Sequence, residues 1–149
     1  MAKRFLIMAL FITAIWLAPF GAQAAQQLDV MTLDGRRITL TVELADTPEK
    51  QARGLMHVTH MPPKTGMVFP MRPPRQASFW MRNTMIPLDM IFILPGGTIG
   101  LIVTRLDTQS DKGTSSPGKV SGVLELNAGE AAKLNIGIGD RVRMNGVLF

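Results

Sequence analysis

The richest group of chemically capable residues runs from Ser78 to Asp89 and mixes bulky apolar side chains with a guanidinium, an amide, a hydroxyl and a carboxyl group. Ligand pockets typically combine an apolar floor with a few oriented polar groups. The run therefore predicts a site for a small polar ligand, with Trp80, Arg82, Asn83 and Asp89 as candidate binding residues. An alternative stays open, in which Asn83 belongs to a turn and Asp89 caps a backbone group or pairs with Arg82.

Two charged residues elsewhere in the chain are candidates for the same site. Glu125 lies within the apolar segment 123–126, where a buried charge without a partner is costly. Strand alternation places Glu125 on the opposite face from the two leucines beside it. Glu125 therefore either faces solvent or lines the mouth of a barrel, where Arg53 or Arg82 is its natural partner and the carboxyl group is a candidate acid or base.

A metal site is a weaker alternative. Imidazole and thioether ligands together suit copper outside the cytoplasm, and His57, His60 and Met61 are the candidate ligands. Methionine is also a flexible core filler, and no ligand spacing here is typical of a metal site. We therefore expect no cofactor, with copper handling kept as an alternative.

Composition and motifs exclude several classes of function. The chain has no cysteine, so neither a disulfide nor thiol chemistry is available. It carries a mild net charge of +5, without the clustered basic and aromatic residues typical of nucleic-acid binding. Motifs for a serine-hydrolase elbow, a zinc protease, a phosphate loop and a dinucleotide fold are also absent.

The elements that must position these residues are mainly β-strands. Residues 28–44 predict a hairpin with a type I′ turn at Asp34-Gly35 and with the aliphatic residues of its second strand on one face. Further strands are predicted at residues 77–81, 88–94, 98–104, 123–126 and 141–144, and residues 88–94 are expected to be central because they are largely apolar. This pattern predicts a mainly β fold, in the form of a small barrel-like or rolled antiparallel sheet.

Two short helices interrupt the strands. The first is predicted to begin at Asp46, with its capping oxygen, and to end near Gly54. The second is predicted to begin with a capping box formed by Asn127 and Glu130 and to end near Leu134.

Two segments are predicted to be loops. Residues 61–75 hold five prolines and predict an ordered loop over the sheet, with a short strand at 67–69 at most. Residues 107–119 are polar and rich in glycine and serine, which predicts a mobile surface loop.

The first 24 residues have the three parts of a secretory signal peptide. Lys3 and Arg4 precede an apolar stretch, which ends in Ala22-Gln23-Ala24. We expect cleavage near Ala24, which leaves residues 25–149 as one mature domain in the periplasm or otherwise outside the cytoplasm. No membrane span is expected in that mature chain.

An ordered set of motifs resembles the domain of unknown function 192 family. The motifs are Arg53-Gly54-Leu55-Met56, Gly66-Met67-Val68-Phe69, the run from Phe79 to Asp89, and Leu124-Glu125-Leu126-Asn127-Ala128-Gly129. The resemblance extends from about Leu28 to Met144 and implies a compact β-barrel-like fold, with no established reaction, ligand or partner. The family typically has lysine where this chain has Arg82 and an aromatic residue where it has His57.

These observations favour a non-enzymatic accessory module that binds a small polar ligand, with Arg53, Trp80, Arg82, Asn83, Asp89 and Glu125 around it. The alternatives are a small hydrolase or lyase that uses Glu125 or Asp89 with Arg82, a structural module with a protein partner, and a copper-handling protein. No nucleic-acid partner is expected.

Overall fold

The protein is described by a computed structural model that covers residues 25–145 and 147–149. The predicted signal peptide, residues 1–24, lies outside the described residues. The elements in chain order are β1 (Gln26–Met31), β2 (Arg37–Leu44), α1 (Pro48–Arg53), β3 (Thr65–Phe79), β4 (Leu88–Ile93), β5 (Ile99–Arg105), β6 (Thr114–Asn127), α2 (Glu130–Lys133), β7 (Arg141–Met144) and β8 (Val147–Leu148). The prediction of a mainly β fold with two short helices is confirmed.

The strands form one sheet in the order β5-β4-β6-β3-β2-β1-β7-β8, which curls into a half-barrel. Neighbouring strands are antiparallel, except that β2 and β3 are parallel. A parallel pair requires a crossover, and here α1 lies in that crossover. The sheet is therefore mixed, which the sequence pattern did not predict. In the described part of the chain, no helix has the length and apolar character that crossing a membrane requires.

Alternation along the central strands divides the interior into two apolar clusters. All six residues of β4 are buried, as expected for a central strand. The hairpin core lies on one face of the sheet and includes Leu28, Val30, Leu40, Val42, Val68, Ile91, Leu124 and Leu126. The methionine core lies on the other face and includes Met67, Phe69, Met71, Met81, Met90, Phe92 and Val123.

The hairpin is confirmed, but its turn type is not. Along β2, the aliphatic residues Ile38, Leu40 and Val42 are buried and alternate with exposed residues, as predicted. Of the described residues in this turn, only Gly35 has a positive φ angle. A type I′ turn needs two residues with positive φ angles. The amide of Gly35 donates to the carbonyl of Thr32 at 2.9 Å, and this longer loop places glycine in the left-handed position.

The prediction that residues 61–75 form a loop is wrong, since β3 begins at Thr65 and continues to Phe79. Proline cannot donate to a strand ladder. The pairing of β3 with β6 shifts register between Pro70 and Arg75, so the adjacent prolines at 73 and 74 lie where the ladder is interrupted. The bulge allows a long strand in a sequence that looks like a loop.

The second predicted loop, residues 107–119, is shorter than expected because β6 begins at Thr114. The buried guanidinium of Arg105 holds the remaining turn. It pairs with the carboxyl group of Asp107 at 2.7 Å and donates to the carbonyl of Lys112 at 3.0 Å. These bonds tie a polar segment to the end of β5.

The helix boundaries are close to those predicted, but the capping groups differ. The hydroxyl of Thr47, not the carboxyl group of Asp46, accepts from the amide of Lys50 at 3.3 Å. The capping box at α2 does not form, because Asn127 donates instead to the carbonyl of Met61 at 2.8 Å. Glu130 accepts from the amide of Lys64 at 3.1 Å, so Asn127 at the end of β6 and Glu130 in α2 both bond to the segment before β3.

Candidate functional site

A cavity of about 150 Å³ lies at the C-terminal end of α1, between that helix and the strands β3 and β6. We call it the Glu125 cavity. Its apolar lining residues come mostly from β3 and are Leu55, Phe69, Met71, Ala77, Phe79 and Trp80. Its polar lining residues come from α1, from β3 and the segment after it, and from β6, and are Gln51, Arg53, Arg75, Ser78, Arg82, Thr84 and Glu125.

Strand alternation places the Glu125 side chain in this cavity. Glu125 pairs with Met67 of β3 and with Met90 of β4, and all three belong to the face of the methionine core. The leucines on either side of Glu125 point into the hairpin core, as the alternation predicted. Glu125 is only 4% exposed, so the solvent-facing alternative is excluded.

Gly66 fixes the close approach of the two strands at this point. A Cβ atom built on Gly66 would lie 2.3 Å from the carbonyl oxygen of Glu125. A real side chain cannot occupy that space without separating β3 from β6. The glycine of the Gly66-Met67-Val68-Phe69 motif therefore sets the backbone from which Glu125 projects.

The carboxyl group of Glu125 has no hydrogen bond or ion pair within the described part of the chain. Burial removes it from water without supplying a partner, and this desolvation raises its pKa from the ordinary value of 4.5 to about 8. Glu125 is therefore mainly protonated at neutral pH and presents one O–H donor and one carbonyl acceptor to the cavity.

Three arginines line the cavity around this neutral group. Arg82 forms an ion pair with Asp111 at 2.7 Å, and its guanidinium carbon lies 4.6 Å from the ring centroid of Trp80. Arg75 donates to the side-chain carbonyl of Gln51 at 3.2 Å. The exposed guanidinium of Arg53 forms no hydrogen bond or ion pair to the residues that the structure describes.

Aromatic rings form the apolar wall of the cavity. Phe79 packs edge-to-face against Phe69, with 5.0 Å between ring centroids, and against Phe92 at 6.4 Å. Trp80 follows at the end of β3 and is 49% exposed. The fixed phenyl rings and the half-exposed indole together give the cavity a hydrophobic side.

The structure brings together four of the six candidate binding residues. Arg53, Trp80, Arg82 and Glu125 line one cavity. Asn83 does not line it. Asn83 has a φ angle of 54° in the bend after β3, and its carbonyl accepts from the amide of His57 at 2.9 Å.

Asp89 is the other candidate outside the cavity. It pairs with Leu126 in the β4–β6 ladder, so its side chain lies on the face of the hairpin core, opposite to Glu125. One carboxyl oxygen accepts from the hydroxyl of Thr104 at 2.6 Å, and the other accepts from the amide of Ala131 at 3.0 Å. These two bonds join β4 to β5 and to α2.

Arg75 and Phe79 are lining residues that the sequence reasoning did not select. Arg75 lies in the segment predicted as a loop, so it was not placed on any face. Phe79 lies in the predicted strand 77–81, and its alternation with polar neighbours was the signal that could have placed it on the face of the cavity.

The three candidate copper ligands are not arranged as a site. His57 and His60 are exposed, whereas Met61 is buried in the methionine core. Among the described residues, no group of three or more histidine, cysteine, aspartate or glutamate side chains is placed to hold a metal ion.

Comparisons with known proteins agree with this fold. The model of the family called "Uncharacterized ACR", domain of unknown function 192, matches residues 30–144. A solved structure from Sinorhizobium meliloti, of a protein called a "putative transcription regulator", is 40% identical with a TM-score of 0.79 and covers 83% of this chain and 96% of that one. A protein of unknown function from Novosphingobium aromaticivorans is 36% identical with a TM-score of 0.78 and covers 85% of this chain and 89% of that one. No curated protein matches this chain.

Proposed function

The chain belongs to the domain of unknown function 192 family, and from the geometry of its Glu125 cavity we propose that it is a non-enzymatic module that binds a small polar ligand. The observation that carries this proposal is the unpartnered carboxyl group of Glu125 in a cavity that Arg53, Trp80 and Arg82 also line.

Glu125 differs from the other buried carboxyl groups of the fold. Asp89 accepts two hydrogen bonds, Asp140 accepts from the amides of Leu33 and Gly137, and Glu130 accepts from the amide of Lys64. No described residue supplies a hydrogen bond to the Glu125 carboxyl group, which faces the cavity. A ligand in the cavity can supply that bond.

We place this binding activity outside the cytoplasm, after cleavage near Ala24. The support is the three-part pattern of residues 1–24. In addition, β1 begins at Gln26, so cleavage at that point would leave every described strand whole.

A small hydrolase or lyase is the second candidate, and one observation favours it. A carboxyl group that is protonated at neutral pH and shares a cavity with Arg82 has the properties of a general acid. Asp89 lies on the opposite face of the sheet, so Glu125 would have to act without it. The cavity therefore supplies one candidate catalytic carboxyl group and no second one.

The test is a ligand screen with the protein purified as the expressing cell processes it, with its N-terminus defined by intact mass. Melting temperature is measured with amino acids, organic acids, sugars and peptidoglycan fragments. We expect a ligand that stabilises the wild type and the surface control Arg143→Ala, but neither Arg82→Ala nor Glu125→Ala. Circular dichroism confirms that all variants fold.

Three results would change this conclusion. Equal stabilisation of wild type, Arg82→Ala and Glu125→Ala, or the absence of any stabilising compound, would overturn binding at the Glu125 cavity. Turnover of a bound compound that Glu125→Gln abolishes while binding persists would instead establish the enzyme.

A further inference from the structure

Building on the proposed function, we infer that the ligand of the Glu125 cavity is a small organic carboxylate. Its carboxylate group binds to the arginines Arg53, Arg75 and Arg82, and its short body lies against Phe79, with a hydrogen-bonding atom toward Glu125.

The charge of the lining favours an anion. Three arginine residues line the cavity, and Glu125 is the one acidic residue among the described residues that line it. Asp111 offsets Arg82 by an ion pair, but its side chain is 71% exposed and lies outside the lining. Arg53 has no acidic partner in the described part of the chain, so its guanidinium is available to a ligand.

Arginine is suited to this kind of ligand. Its planar guanidinium presents paired N–H donors that match the two oxygens of a carboxylate. A ligand amine would instead be repelled by the three guanidinium groups, and it would require Glu125 to ionise in a buried position. The same lining therefore selects against cations.

The size and apolar wall of the cavity limit the body of the ligand. Its volume of about 150 Å³ matches that of an apolar cavity able to hold a benzene molecule. Phe69, Met71 and Phe79 form the wall beside Glu125. This combination suits a carboxylate with a body of a few carbon atoms better than an inorganic anion, which would leave the apolar wall unfilled.

Binding of an anion should depend on the protonation of Glu125. The charged groups that share the cavity are Arg53 at the end of α1, Arg75 from β3 and Arg82 from the segment after β3, while β4 presents Met90 on this face. Burial raises the pKa of Glu125 to about 8, so the neutral form persists at pH 7. Above pH 8 the ionised carboxylate of Glu125 would repel a ligand anion.

The shared chemistry has two sources, a free short-chain acid and the C-terminal carboxylate of a peptide. The test therefore uses matched pairs in which an uncharged amide group replaces the carboxylate: acetate and acetamide, butyrate and butyramide, and N-acetylglycine and N-acetylglycinamide. Binding to the purified protein is measured by calorimetry and by shifts of backbone amide signals in NMR spectra. Preference for N-acetylglycine identifies a chain terminus, and preference for butyrate identifies a free acid.

We expect the carboxylates to bind at least tenfold more tightly than their amides, with Arg53→Gln losing at least tenfold and the exposed control Arg143→Gln unchanged. Above pH 8 the affinity of the wild type should fall by up to tenfold per pH unit. Glu125→Gln keeps a donor and an acceptor, so it should bind carboxylates at pH 7. Its affinity should not fall above pH 8.

The failure of this inference is distinguishable from that of the proposed function. If amides, sugars or amines bind at the Glu125 cavity as tightly as carboxylates, the carboxylate inference is overturned and the binding module stands. If no compound shifts the signals of residues that line the cavity, both are overturned. If carboxylates bind equally to wild type and Arg53→Gln, the carboxylate group does not bind to Arg53. The carboxylate inference is then overturned as stated.

Discussion

Asp89 and Glu125 are buried carboxyl groups on adjacent rungs of one pair of strands, yet their surroundings are opposite. Asp89 pairs with Leu126, and Glu125 pairs with Met90. One step of the ladder turns one side chain toward the hairpin core and the other toward the methionine core. The Asp89 carboxyl group accepts two hydrogen bonds, whereas the Glu125 side chain faces a cavity.

This difference separates a structural role from a candidate binding role. The bonds of Asp89 connect β4 with Thr104 of β5 and with Ala131 of α2, so that carboxyl group contributes to the fold. Glu125 connects nothing within the described residues. A ligand in the cavity can therefore supply the hydrogen bond that no described residue offers to Glu125.

The largest effect expected from this contrast is in the pH dependence of stability. The pKa of Glu125 is about 8 in the folded protein, and its ordinary value, which applies to the unfolded chain, is 4.5. The folded state therefore holds this proton more tightly than the unfolded state. The resulting stabilisation is full below pH 4.5 and is lost as pH rises toward 8. Relative to Glu125→Gln, the free energy of unfolding of the wild type should fall by about 4 kcal/mol between pH 4 and pH 8.

Urea unfolding of both proteins across this range measures the effect. Other titrating groups cancel because both proteins contain them. In particular, hydrogen bonds from Arg36 and Arg105 lower the pKa values of Asp34 and Asp107. A constant difference between wild type and Glu125→Gln would show that Glu125 is ionised in the folded protein, or that it has a partner.

The next effect concerns Asp89. Replacing Asp89 with asparagine puts an NH2 group in place of one oxygen. The remaining amide oxygen can accept from Ala131, and the Thr104 hydroxyl must then reverse its role and accept from the NH2 group. Because the bond to Ala131 is buried and both bonds lose a carboxyl acceptor, we expect a loss of about 2 kcal/mol in the free energy of unfolding at pH 7. Urea unfolding checks this value, and a loss below that of Glu125→Gln at pH 4 would contradict the structural assignment.

A smaller loss is expected at the partner of Asp89. Thr104→Val keeps the shape of the side chain but removes the hydroxyl that donates to Asp89 at 2.6 Å. Thr104 is exposed and the amide of Ala131 remains, so the loss should be about 1 kcal/mol. In a double-mutant cycle, Thr104→Val and Asp89→Asn should be non-additive, and additive losses would argue against the bond.

Local patterning predicted much of the fold. Alternation in 123–126 placed Glu125 opposite its neighbouring leucines, and the apolar character of 88–94 identified β4 as central. Both inferences need only the period of a strand. Local patterning failed in 70–76, because proline normally excludes a strand and the bulge that accommodates the prolines of β3 depends on pairing with β6.

The composition of the site was harder to predict for a related reason. Asp89 and Arg82 are close in sequence, which favoured placing them together. Whether Asp89 and Glu125 share a face depends on the register of β4 against β6, and a shift of one residue reverses the answer. That register results from contacts between distant parts of the chain, so no local pattern specifies it.

The smallest expected effect is the most discriminating. At pH 4, Glu125 should be protonated in the folded protein, and glutamine then has nearly the same size, charge and hydrogen-bonding capacity. Glu125→Gln should therefore change the free energy of unfolding by less than about 0.5 kcal/mol at pH 4, whereas the same chemical change at Asp89 costs several times more. A loss of about 2 kcal/mol in Glu125→Gln, measured by urea unfolding at pH 4, would mean that Glu125 holds the fold together as Asp89 does. The binding role would then lose its main support.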